Sequence, residues 1–140
     1  MGYAFDLADV EYLTVAAEAL AEVDEYALTP ASLVGDLARV RARFGAHAAA
    51  LVETVTVRRK ARAKLAASGS WLLTDDAVQQ ATPDAVSAHR AARLAGRAVH
   101  DVTCSIGTEL HALRATAATV VGSDLDEVRL GSEQRASRVH

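Results

Sequence analysis

The stretch Asp101-Val-Thr-Cys-Ser-Ile-Gly107 decides the fold of this chain, because it lies between two short apolar runs. The run at residues 98–102 predicts a buried strand, and the run at residues 119–123 predicts a second one. A helix is predicted between them, over residues 108–115. Strand, turn, helix and strand in this order form a βαβ unit, whose strands should be parallel and whose crossover should be right-handed.

The chain before this unit has the pattern of helices. Thr29-Pro30 and Thr82-Pro83 each place a capping hydroxyl before a proline, which favours a helix start at the proline. Thr74 followed by two aspartates predicts another start, because acidic residues stabilise the first turn of a helix. The predicted helices are residues 5–26 (one or two helices), 30–44, 46–67, 75–81 and 83–94.

These patterns predict an α/β chain in two parts. A helical region, residues 1–67, comes first. The break Ser68-Gly69-Ser70 then leads into an α/β region, residues 68–140.

Composition narrows the class of protein. The 140 residues, 51% of them hydrophobic, are enough for one folded core. A formal net charge of -3 gives no general attraction to nucleic acid or to an anionic membrane. The single cysteine, Cys104, excludes an internal disulfide, and no apolar run approaches the roughly 20 residues that span a bilayer. We therefore expect a cytoplasmic protein.

The βαβ unit predicts a ligand site at one edge of its sheet. In sheets of this type the ligand lies beyond the carboxyl ends of the strands, so the turn after Val102 should face it. Backbone N–H groups at the start of the following helix favour a carboxylate or phosphate, and Gly107 allows close approach of the backbone. Asp124 follows the second strand and, as a carboxylate, can accept hydrogen bonds from both hydroxyls of a ribose.

Three stretches together resemble a known family. Asp101-Val-Thr-Cys-Ser-Ile-Gly107-Thr-Glu-Leu and Val120-Val-Gly-Ser-Asp124-Leu-Asp126 resemble motif I and the acidic loop of class I S-adenosylmethionine-dependent methyltransferases. Trp71-Leu-Leu-Thr-Asp-Asp-Ala-Val-Gln-Gln80-Ala-Thr82 resembles the segment before motif I in an actinobacterial branch of that family with a THUMP-like region. The resemblance covers residues 5–130.

The resemblance implies a Rossmann-like sheet and S-adenosylmethionine as cofactor. Asp124 would bind the ribose, Asp101 would orient the loop or reach the methionine amino group, and Leu125 would line the adenine pocket. The remaining cofactor-binding positions implied are the loop residues Thr103, Cys104, Ser105 and Gly107.

The loop departs from the family pattern in its glycines. Thr103 and Ser105 stand where the family usually has the first two of three glycines, which leaves only Gly107. A nicotinamide site is the competing interpretation, and it is less favoured because the full G-x-G-x-x-G is missing.

The C-terminal part predicts an incomplete enzyme. The family carries a catalytic motif of Asn or Asp followed by two prolines, whereas this chain has no proline after Pro83. Apolar periodicity is lost over residues 131–140. We therefore expect a truncated or frame-shifted form without catalytic residues, whose open sheet edges favour self-association.

A basic run offers the alternative function. Five cations within seven residues predict either a solvated helix face or a surface that binds RNA phosphates or a partner protein. In the second case the chain would be a non-enzymatic helical module. The cations are Arg58, Arg59, Lys60, Arg62 and Lys64.

Other reactive residue types favour structural roles. Cys104 is expected to be a small core residue rather than a nucleophile, and Trp71 is expected to pack the helices onto the sheet. Ser105 lacks the G-x-S-x-G pattern of a hydrolase. The five histidines show no spacing typical of a zinc site.

Overall fold

Helices account for most of the residues that the structure describes, and the last helix lies between the two strands of a small sheet. The computed structural model describes residues 3–66, 69, 71, 73–102, 104 and 107–125. The elements are α1 (Leu7–Val15), α2 (Ala17–Asp24), α3 (Leu33–Phe44), a 3-10 turn (Gly45–His47), α4 (Ala48–Ala61), α5 (Asp75–Gln80), α6 (Asp84–Arg93), β1 (Ala98–Asp101), α7 (Thr108–Leu113) and β2 (Thr119–Gly122).

Two helix starts follow directly from local sequence. At α1 the Asp6 carboxylate accepts the Asp9 N–H at 2.8 Å, and the Asp9 carboxylate accepts the Asp6 N–H at 3.2 Å. This reciprocal pair is a capping box, in which two otherwise unpaired donors are satisfied. At α5 the Thr74 hydroxyl accepts the Ala77 N–H at 3.2 Å, which confirms the predicted start.

The two proline-based predictions hold in part: α3 begins three residues after Pro30, and α6 begins one residue after Pro83 but without the predicted cap. The Leu33 N–H donates to the Thr29 carbonyl at 2.8 Å, so a helical turn does begin at Thr29, but the regular helix α3 begins only at Leu33. The prediction that Thr82 caps α6 is wrong, because α6 begins after Pro83 without a side-chain cap. Instead, the Asp84 carboxylate accepts the Ala66 N–H at 2.6 Å. Tertiary contacts therefore fix the start of α6.

The buried Asp36 organises the connection between α2 and α3. Its carboxylate accepts the backbone N–H of Leu28 at 3.0 Å, and Leu28 has a φ of 49°. Positive φ is strained for a leucine, and the side chain of Leu28 packs against the buried core. Hydrogen bonds from Ser32 and from the Leu28 N–H lower the pKa of the Asp36 carboxyl. The carboxylate thus holds the loop in this conformation.

Helix α4 ends at Ala61, six residues before the predicted end, and contributes to two hydrophobic clusters. Leu51 and Val55 belong to the first cluster, which α1, α2 and α3 complete. Val57 and Ala61 belong to the second. The other members of the second cluster are Leu65, Trp71, Leu73, Ala77, Val78 and Ala81. This cluster therefore contains residues from both sides of the predicted boundary at 67/68, which remains a prediction.

The two strands pair in parallel, as predicted. Ala98 lies opposite Thr119, and Asp101 lies opposite Gly122. Along both strands exposed and half-buried residues alternate, and α7 packs against β2. The expectation of buried strands is therefore wrong for one face, which carries Ala98, His100, Thr119 and Val121. Within the described part of the chain, no helix is long and apolar enough to cross a membrane.

Candidate cofactor-binding site

The backbone after β1 stays attached to the end of β2. The Ser123 N–H donates to the Asp101 carbonyl at 2.8 Å, and the Cys104 N–H then donates to the Ser123 carbonyl at 3.1 Å. These bonds continue the ladder beyond both strands. The turn after β1 and the segment after β2 therefore lie at one edge of the sheet, the edge at which the sequence predicts a ligand.

Gly107 ends this turn and begins α7. Its N–H donates to the Cys104 carbonyl at 2.8 Å, and its φ is 79°. A left-handed conformation of this kind is ordinary for glycine and costly for other residues. The retained glycine therefore has a conformational role at the point where the turn becomes a helix.

Cys104 and Gly122 pack against each other beneath the turn. Cys104 is buried, and a Cβ atom on Gly122 would lie 3.1 Å from the Cys104 Cβ and Sγ atoms and would collide with Leu110 Cδ1. The Cys104 side chain thus fills the space between the turn, β2 and α7, in keeping with its predicted core role. Sequence reasoning missed Gly122, although a glycine inside a strand is a known signal of close backbone approach.

The carboxylates predicted to serve the site lie at this same edge. Asp101 is the last residue of β1, and Asp124 is the second residue after β2; both are half-buried. Leu125 is fully exposed beside Asp124. Thr103 and Ser105, the other two predicted loop positions, lie outside the described residues. Four predicted positions with described side chains, together with Gly107, are thus brought to one edge: Asp101, Cys104, Asp124 and Leu125.

One further polar contact lies beside the site. His100 Nε2 and Ser123 Oγ are 2.9 Å apart on the exposed face of the sheet. Among the described residues, no group of three or more His, Cys, Asp or Glu side chains is arranged to hold a metal ion. His111, which the sequence left without a role, packs edge-on against Trp71 with ring centroids 5.6 Å apart.

The basic run is bound to the rest of the molecule. Arg59 donates to the carbonyl of Asp24, the last residue of α2, at 2.7 Å and to that of Tyr26, just after the helix, at 2.8 Å. Lys64 donates to the carbonyls of Val78 and Gln79 at 2.7 and 3.1 Å, at the end of α5. Carbonyls at a helix end lack partners inside the helix, and cations there are favourable.

The other three cations also have intramolecular partners. Arg58 donates to the Trp71 carbonyl at 2.7 Å, and Lys60 pairs with Asp75 at 3.2 Å. Arg62 lies 3.9 Å from an Asp24 oxygen. The run is therefore a set of internal connections as well as a charged surface, and its predicted binding of RNA stays a prediction.

Comparison with known proteins finds two similar relatives. The chain is 58% identical over 97 residues to two uncharacterized S-adenosylmethionine-dependent methyltransferases of Mycobacterium tuberculosis, one from strain CDC 1551 / Oshkosh and one from strain H37Rv. The chain is homologous to S-adenosylmethionine-dependent methyltransferases. This confirms the family resemblance seen in the sequence, while the THUMP-like feature stays a prediction.

The homology to these methyltransferases covers parts of both proteins. The match takes in 65% of this chain and 27% of each relative, so the chain spans about a quarter of the length of the relatives it matches. No family model matches the chain. No solved structure matches it either.

Proposed function

We propose that this chain carries the cofactor-binding start of a class I S-adenosylmethionine-dependent methyltransferase, in which β1, α7 and β2 begin a Rossmann-like sheet. The observation that carries the proposal is the hydrogen bond between the Cys104 N–H and the Ser123 carbonyl, 3.1 Å long. It holds the turn after β1 against the segment that bears Asp124. The 58% identity to named methyltransferases supports the same assignment.

The residues present suit this cofactor. Asp124 is a half-buried carboxylate at the carboxyl end of a parallel strand, and its two oxygens are acceptors for the two ribose hydroxyls. Asp101, at the end of the neighbouring strand, suits the methionine amino group or the positioning of the loop. Leu125 offers an exposed apolar side chain for the adenine ring. S-adenosylmethionine is therefore the cofactor we expect.

The proposal assigns binding, rather than catalysis, to these residues. When bound, S-adenosylmethionine supplies a methyl group on a sulfonium centre for transfer to an acceptor. An RNA acceptor for the relatives as whole proteins, and a cytoplasmic location, are part of the proposal. The alternative of a non-enzymatic RNA-binding module is less favoured, because Arg59 and Lys64 are engaged by backbone carbonyls.

Calorimetric titration of the 140-residue chain with S-adenosylmethionine tests the proposal. We expect saturable binding that Asp124→Ala weakens about tenfold or more, because hydrogen bonds to a charged group contribute about 1.5–3 kcal/mol. Asp124→Asn should weaken binding as well, since it removes the charge and one acceptor. Glu11→Ala, which removes an exposed carboxylate on α1, is the control and should bind as the unaltered chain does.

Two results would contradict the proposal. One is the absence of any binding heat in a chain whose circular dichroism shows it folded. The other is binding that Asp124→Ala and Glu11→Ala leave equally strong, since the ribose contact would then be made elsewhere.

A further inference from the structure

A cleft in the helical region lies apart from the sheet edge. Its volume is about 420 Å³, and it is lined by residues of α1, α2 and α4 and by the chain just after α4. Cavities of about 300–1,000 Å³ hold small organic molecules in proteins. The residues assigned to the cofactor site do not line this cleft.

The cleft combines an apolar floor with a cationic wall. Leu13, Leu20 and Val55 come from α1, α2 and α4 and belong to the first hydrophobic cluster. Arg58 lies on α4, and Arg62 directly follows the end of that helix with helical backbone angles; both line the cleft. Residues four apart on a helix lie on the same face, so the two guanidinium groups share one side of the cleft.

The charge balance of the cleft favours an anion. Asp24 is the acidic residue among those that line it, and its Oδ1 atom already accepts from Arg59 Nε at 2.8 Å. Asp24 also lies 3.9 Å from Arg62. One carboxylate thus faces three guanidinium groups, two of which belong to the cleft itself. Among the described residues that line the cleft, two guanidinium groups thus accompany one carboxylate, and a guanidinium pairs well with a carboxylate or phosphate.

The Arg58 guanidinium is partly buried and is held in place by a hydrogen bond. Burial lowers the pKa of its guanidinium, an effect that the charge of Asp24 opposes. Its Nε atom donates to the Trp71 carbonyl at 2.7 Å, which fixes the side chain. A fixed, desolvated guanidinium binds carboxylate or phosphate more strongly than one that is free in solvent, because less water and less motion are lost on binding.

The lining also indicates what the anion carries. No aromatic side chain is present among the described residues that line the cleft. A nucleobase therefore has no ring on which to stack, whereas an alkyl chain fits leucine, valine and alanine side chains. We propose that the cleft between α1, α2 and α4 binds a small aliphatic anion, whose carboxylate or phosphate meets Arg58 and Arg62 and whose chain lies on Leu13, Leu20 and Val55.

Calorimetry with four probes separates the contribution of the ligand's anionic group from that of its alkyl chain. Octanoate and octyl phosphate should bind saturably, with a Kd below about 1 mM, and their comparison shows which head group the cleft prefers. Inorganic phosphate tests the charge alone, and adenosine monophosphate tests a nucleotide. We expect both of these to bind at least about tenfold more weakly than the octyl compounds.

Variants at the charged wall test the contact with the anion. Arg62→Gln should weaken octanoate binding about tenfold, and it should fold, because the Arg62 side chain is 65% exposed and only loosely paired. Lys60→Gln is the matched control, since Lys60 lies two residues before Arg62, is similarly exposed and does not line the cleft. If both variants lose the same factor in octanoate affinity, the effect comes from the net charge of the protein rather than from a contact in the cleft, and the proposal is overturned.

A variant that fills the cleft tests whether the alkyl chain of the ligand lies there. Ala21→Leu fills the cleft without changing its charge and should abolish octanoate binding. Ala38→Leu, at an exposed alanine of α3 outside the cleft, should leave binding unchanged. The proposal is overturned by any of three results: no octanoate binding, octanoate binding that survives Ala21→Leu, or tighter binding of adenosine monophosphate or inorganic phosphate than of the octyl compounds.

Discussion

Gly122 is the residue on which the packing of the candidate site depends most directly. It stands at the end of β2, where the buried Cys104 and the α7 residue Leu110 approach the backbone. Gly122→Ala places a methyl group in this space, so the turn or α7 must move. We expect a loss of about 1–3 kcal/mol in the free energy of unfolding, as is usual for overpacking. Urea titration followed by circular dichroism measures it.

Gly35 provides the control for that substitution. It lies in α3, and a Cβ atom there would meet no atom within 4 Å. Gly35→Ala should stabilise the chain by about 0.5–1 kcal/mol, because glycine inside a helix costs conformational entropy. If both alanine variants shift the urea midpoint in the same direction, the close contacts of Gly122 do not explain why a larger residue is unfavourable there.

Arg59 is a cation of the basic run that connects α4 to the C-terminal end of α2. From α4 it reaches carbonyls at the C-terminal end of α2 and just after it, and its Nε atom also pairs with the Asp24 carboxylate. Arg59→Ala leaves these carbonyls without their donor and should lower the free energy of unfolding by about 2 kcal/mol. Arg59→Lys should restore little of this, because one ammonium group cannot donate to several divergent acceptors as a guanidinium does.

Arg62 is the matching position for this stability measurement. Its pair with Asp24 is long, at 3.9 Å, and its side chain is 65% exposed. Arg62→Ala should therefore change the free energy of unfolding by less than about 0.5 kcal/mol. A loss as large as that of Arg59→Ala would mean that charge, and not the carbonyl contacts, stabilises this end of the helical region.

At the scale of elements, the sequence predicts what local chemistry determines. The Thr74 hydroxyl and the aspartates after it suffice for the start of α5, and apolar spacing suffices for the presence of α3 and α4. The start of α6 was predicted to within one residue, but its cap at Thr82 was wrong, because Asp84 instead makes contacts with residues 64 and 66 across the fold. The partners of the basic run were missed for the same reason: a spacing of charges does not reveal which carbonyls lie opposite.

At the scale of the whole molecule, one face of the sheet is open. It carries Val121, which is 57% exposed, beside Ala98, His100 and Thr119. Unpaired strand edges next to such a face favour association with another chain. We expect the apparent mass in sedimentation velocity to rise with concentration, and Val121→Lys to reduce that rise by placing a charge on the face.

Val34→Lys distinguishes the sheet face from apolar exposure in general. Val34 is 84% exposed, more than Val121, but lies on α3 in the helical region. Its substitution should leave the association unchanged. A monomer over a hundredfold dilution of the unaltered chain, or a loss of association in Val34→Lys alone, would contradict the role of the sheet.

The edge of the sheet that carries the candidate cofactor site could be predicted from the sequence. The order of strand, turn, helix and strand places Asp101 and Asp124 together, because parallel strands end on the same side. The contact of Cys104 with Gly122 needed three-dimensional information. So did the cleft between α1, α2 and α4, since Leu13, Leu20 and Arg58 are distant in sequence and share no motif.

The double membership of α4 limits how this chain can be divided. Its first half packs with α1, α2 and α3, and its second half packs with Trp71 and Leu73. Excision of residues 1–67 as a module would leave Ala61 and Leu65 without those partners and would expose to solvent a cluster that is now buried. Recombination of the helical region between homologues therefore requires the segment up to Ala81 to be exchanged with it, so that the inherited unit is longer than the run of helices suggests.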